Sequence, residues 1–110
     1  MFAAGKGLGN LTAVIDFNRW QATGRSCETL ALEPLARKWQ AFGWRAGEVD
    51  GHDLHALVRA LGATRPGQPS AIVAHTTKGK GISFMEDDND WHYATLNDRQ
   101  LAQALEELDA

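Results

Sequence analysis

The apolar positions fall into two kinds of run. Leu11-Thr-Ala-Val-Ile-Asp16 and Ser70-Ala-Ile-Val-Ala-His75 are continuous and contain β-branched residues. Such runs predict strands buried on both faces. A weaker strand is predicted over 44–49. The other kind repeats at helical spacing. After Pro34, Leu35, Trp39 and Phe42 lie at i, i+4 and i+7, with Gly43 as the stop. Leu54, Leu57, Val58 and Leu61 predict the buried face of a second helix, ended by Gly62 and capped near His52 or Asp53. Leu101, Leu105 and Leu108, with Ala104, carry a last helix behind the capping box Asn97-Asp98-Arg99-Gln100. Phe2-Ala3-Ala4 reads as the tail of one more helix, and Gly5–Gly9 as a flexible connector. Residues 17–30 read as loop. The alternation of strand and helix, three times over, predicts an α/β fold, a parallel sheet with flanking helices. In such sheets ligands sit beyond the carboxyl ends of the strands. Two polar loops leave those ends, one after Asp16 and one after His75.

Composition narrows the picture. The 110 residues are 44% hydrophobic and 23% charged, which is globular and fits one domain. A net charge of -3 argues against a general nucleic-acid binder. No apolar run approaches the ~20 residues of a membrane span, and no secretory signal is read at the start. The single Cys27 has no internal disulfide partner, which fits a cytoplasmic setting.

The two rim loops carry the candidate chemistry. In Asp16-Phe-Asn-Arg-Trp-Gln21, Asn18 offers a neutral oxygen and nearby backbone carbonyls offer more, a set suited to Mg²⁺; an Asn that only stabilises a turn is the alternative. In Thr77-Lys-Gly-Lys-Gly81, glycines permit close backbone approach to a phosphate and lysine supplies charge; the alternative is a mobile basic loop. The spacing is not that of a Walker A loop. His52-Asp-Leu-His55 reads as a polar helix start, and Glu86–Asp90 as a solvated acidic loop. Trp91-His92 places an indole beside a titratable imidazole in a long loop, a fair site signal.

Taken together, Asn10–Gly24, Leu32–Trp44, Val49–Asp53 and His75–Asp87 continuing through Trp91-His92 resemble transketolase, in particular the N-terminal subunit of the two-chain bacterial type. The resemblance covers nearly the whole chain, with motifs in the same order. It implies thiamine diphosphate and Mg²⁺ as cofactors and transfer of a two-carbon ketol unit between sugar phosphates. Asn18 resembles the family's side-chain Mg²⁺ ligand, and Trp20 stands where a backbone carbonyl also binds the metal. Lys78 matches a lysine at the cofactor. His92 matches a catalytic histidine at the cofactor diphosphate and donor substrate.

The same resemblance marks what the 110 residues lack. The family's metal-binding aspartate lies in a Gly-Asp-Gly segment, which does not occur here. The upstream substrate histidines and the glutamate of a partner domain are absent too. The chain is therefore expected to be an incomplete thiamine diphosphate-binding domain over 1–110, a fragment inactive without its missing parts, with a transketolase C-terminal subunit or domain as partner in a homo- or hetero-oligomer. Two other readings stand beside it: a non-enzymatic α/β remnant or interaction module, and part of another thiamine diphosphate enzyme with a different ketose or aldehyde substrate. Since the family is dimeric with cofactor between domains, the resemblance also implies exposed apolar surface and, without the upstream strands, an open sheet edge.

Overall fold

The computed structural model describes residues 1–63 and 65–109. A short helix α1 (Phe2–Gly5) leads to strand β1 (Thr12–Phe17), a hairpin of β2 (Trp20–Gln21) and β3 (Gly24–Arg25), and one helical turn α2 (Ser26–Thr29). Then come α3 (Leu35–Ala41), β4 (Arg45–Asp50), α4 (Leu54–Gly62), β5 (Ser70–His75), a 3-10 helix (Asn89–His92) and α5 (Asp98–Asp109). β1, β5 and β4 form a parallel sheet in that order. β5, the most continuous apolar run, takes the centre and is buried from Ser70 to Ala74. Phe17 and Asp50 both pair with His75, so the carboxyl ends of all three strands are level.

Val73 anchors the core with Phe17 and Ala36, and Ile15, Leu32, Leu35 and Ala46 pack around them. Trp44 is buried edge-to-face against Trp39, 4.7 Å between ring centres. The capping box forms as expected: Asn97 Oδ1 accepts from the Gln100 amide at 2.9 Å, and Gln100 Oε1 from the Asn97 amide at 3.0 Å. Asp53 caps α4 by accepting from the Ala56 amide at 2.9 Å. No helix among the described residues is long and apolar enough to cross a membrane.

Four expectations are corrected. β1, an edge strand of this sheet, is not buried on both faces: Val14 stands 53% exposed. Of the α4 stripe only Leu57 is half-buried, beside Ala56 and Ala60; Leu54, Val58 and Leu61 stand 74%, 69% and 47% exposed. The stretch 17–30 is no plain loop but holds the β2–β3 hairpin and α2. Gly5–Gly9 is an ordered turn packed on the 65–67 loop: a Cβ at Gly9 would meet the Gly67 nitrogen at 2.5 Å.

Candidate functional site

The rim is built from the ends of β1, β4 and β5. Asn18 follows β1 directly and is half-buried. Its Oδ1 accepts from the Trp20 amide at 2.9 Å, an Asx turn that starts the hairpin. Among the described residues no second donor meets that oxygen, which can accept two. Arg19 sits at φ 66°, a left-handed position uncommon for a side-chain-bearing residue, and its carbonyl accepts from the Ser26 amide at 2.8 Å.

The second loop leaves β5 beside it. The Thr76 hydroxyl donates to the Asp16 carboxylate. The Thr77 amide donates to His52 Nε2 at 2.8 Å, which places the ring proton on Nδ1. The loop then turns through Lys78–Gly81. Gly79 has φ 68°, and a Cβ there would lie 2.5 Å from the Met85 carbonyl oxygen, so only glycine fits. The Asp87 amide donates to the Lys78 carbonyl at 2.9 Å and closes the loop at its base. Lys80 is exposed and pairs with Glu86 at 3.3 Å. The Gly81 amide and Lys80 together hold the Glu86 carboxyl below its usual range. Lys78 is half-buried and has no carboxylate partner among the described residues.

A cluster that sequence spacing does not disclose joins the two loops. Arg25 grips Asp87 with two parallel bonds of 2.6 Å each, and the Trp20 indole donates to Asp87 Oδ1 at 2.8 Å. The guanidinium lies 3.6 Å from the centre of the Trp20 ring. The shared hydrogen bond raises the Arg25 pKa and lowers that of Asp87. The run Glu86–Asp90 is therefore not a merely solvated loop: Glu86 and Asp87 are paired, and Asp88 accepts from the Asp90 amide. Sixty-two residues separate Arg25 from Asp87, so no local pattern announces the pair.

Asn89 extends the network. Its side-chain amide donates to the carbonyls of Gln21 and Ala22 at 3.1 and 3.3 Å, which ties the 3-10 helix to the hairpin tip. His92 ends that helix, exposed, with its ring edge-to-face on Tyr93 at 4.5 Å. No hydrogen bond or ion pair among the described residues joins it to Asn18 or Lys78. A cleft of ≈ 490 Å³ runs along the rim, lined by Arg19, Asp50, His52, His75, Thr76, Thr77 and Lys80. Among the described residues no group of three or more His, Cys, Asp or Glu side chains gathers as a metal site.

A parallel sheet with two polar loops at its carboxyl rim is the layout in which α/β domains bind ligands. Residues 1–109 match the family of the transketolase thiamine diphosphate-binding domain, and the chain belongs to that family. It is 40% identical over 111 residues to a 6-deoxy-6-sulfo-D-fructose transketolase subunit of Clostridium sp., covering 99% of this chain and 40% of that one. It is 39% identical over 102 residues to an apulose-4-phosphate transketolase subunit of Actinobacillus succinogenes, covering 92% of this chain and 37% of that one. The transketolase of Campylobacter jejuni superposes with a TM-score of 0.85 at 25% identity, over 97% of this chain and 17% of that one. The chain thus spans well under half the length of these relatives.

Proposed function

We propose that the chain forms part of a transketolase that transfers a two-carbon ketol unit between sugar phosphates, with thiamine diphosphate and Mg²⁺. One observation carries this reading. β1 and β5 are parallel neighbours with Phe17 opposite His75, so the Asn18 hairpin and the Lys78 loop leave the same rim, in a chain that the thiamine diphosphate-binding family matches over 1–109. Asn18 Oδ1, which can accept a second bond, and the Trp20 carbonyl are the oxygens that would hold the metal. Lys78, half-buried and without a carboxylate partner among the described residues, would meet the diphosphate, and Lys80 is already engaged by Glu86. His92, exposed at the end of its 3-10 helix, would reach diphosphate and donor substrate. Thiamine diphosphate, when bound, supplies the carbanion-stabilising chemistry.

The donors fit the group but do not complete it. Mg²⁺ takes about six oxygens, and these residues offer two besides the diphosphate. The 110 residues are thus half a cradle, and by themselves turn over no ketose. The Gly-Asp-Gly carboxylate and the upstream histidines that the resemblance names would add to this half, and a partner subunit or domain would add its glutamate; the subunit names of the relatives support such a partner. Those names also differ in the sugar, and the residues assigned here face cofactor more than sugar. The single Cys27 suits a cytoplasmic protein.

Calorimetric titration of thiamine diphosphate in the presence of Mg²⁺ tests the assignment. Lys78→Ala weakens binding about fivefold, the value of one ion pair near water, and Lys80→Ala less than about twofold. Equal effects of the two substitutions contradict the role given to Lys78.

A further inference from the structure

We propose that Arg25, Asp87 and the Trp20 indole form a positioning latch that fixes the Asn18 hairpin against the Lys78 loop and so sets the gap a diphosphate must fill. The proposal rests on the function above for what fills the gap, and on geometry alone for the latch itself. Both oxygens of Asp87 are engaged by the Arg25 fork, and one also by the indole. A planar guanidinium matches a carboxylate in this two-bond arrangement and stacks on an indole face at the same time, which lysine cannot do. The three groups come from opposite sides of the rim. Trp20 and Arg25 face each other across the hairpin, and Asp87 closes the lysine loop.

The connection runs unbroken from one candidate ligand to the other. Asn18 Oδ1 holds the Trp20 amide, the Trp20 and Arg25 side chains hold the Asp87 carboxylate, and the Asp87 amide holds the Lys78 carbonyl. Asp87 itself sits at φ 55°, a costly position for a non-glycine residue that only surrounding contacts maintain. The hairpin needs such support, because two strands of two residues each are marginal alone. The latch lies outside the core built on Val73, Phe17 and Ala36, so its loss loosens the rim without unfolding the sheet.

Hydrogen exchange and calorimetry on the chain test this together. In Asp87→Ala, amides of 20–25 and 78–87 exchange about tenfold faster, and those of β5 are unchanged. Arg25→Lys, which keeps the charge but not the fork, falls between wild type and Asp87→Ala, and serves where Asp87→Ala does not fold. Unchanged exchange in the hairpin overturns the latch. Affinity for magnesium thiamine diphosphate falls about fivefold in Asp87→Ala, and by clearly less when Lys78 is already alanine, because the part of the effect that runs through that lysine is then gone. An equal loss in both backgrounds marks a merely structural pair and also overturns it. A wild-type chain that binds no thiamine diphosphate defeats the functional reading, and exchange alone then decides the latch.

Discussion

Glu107 shows how a single carboxylate fastens an element to the rim loops. It accepts the Ser83 amide at 2.5 Å, the Gln103 side-chain amide at 2.7 Å and the Ser83 hydroxyl at 2.7 Å. These bonds favour the charged form and hold the carboxyl below its ordinary 4.5. A lowered folded value means stabilisation that is complete above 4.5 and lost as pH falls through the folded value. Wild type should therefore exceed Glu107→Gln in urea midpoint at about pH 7, with the difference closing towards about pH 3. A difference independent of pH contradicts the assignment. At this scale the sequence discloses residues that stand next to a strand end, such as Asn18 and Lys78. It hides Arg25 and Asp87, whose roles depend on a partner across the fold, and Asp87 is further masked by the acidic residues around it.

Elements were legible to the extent that their patterns depend on themselves. β5 reads as a continuous apolar run and is the buried central strand. α5 starts where its capping box says. α4 reads as a helix from its period, but periodicity reports which residues are apolar and not which neighbour they meet. Leu54, Val58 and Leu61 of its stripe face outward, and Leu57 with the smaller Ala56 and Ala60 is half-buried. The β2–β3 hairpin leaves no sequence pattern because two-residue strands carry no period, and its supporting contacts come from Asp87 and Asn89, far along the chain. The contrast between α4 and β5 is testable by urea unfolding. Val73→Ala in the core costs about 2 kcal/mol. Val58→Ala costs less than about 0.5 kcal/mol, since it removes no packing and alanine is the better helix former. Similar losses at both positions would mean that the α4 stripe is packed after all.

The whole molecule is elongated, with a radius of gyration of 16.9 Å and extents of 51 × 31 × 18 Å. A compact chain of this length has a radius of about 13 Å. The open β1 edge and the exposed sides of α4 and α5 fit this shape, as does a chain that spans about two fifths of the subunits it resembles. The molecule presents one level rim, where the Asn18 hairpin and a loop whose Lys78 has no carboxylate partner among the described residues are held side by side by bonds that bridge more than sixty residues. NMR titration of the amides with magnesium thiamine diphosphate tests that arrangement most directly. The account predicts shifts confined to Asn18–Trp20, Thr77–Gly79 and the neighbourhood of His92. Shifts clustered instead at Leu11, Arg45 and Ser70, the opposite ends of the strands, would contradict it.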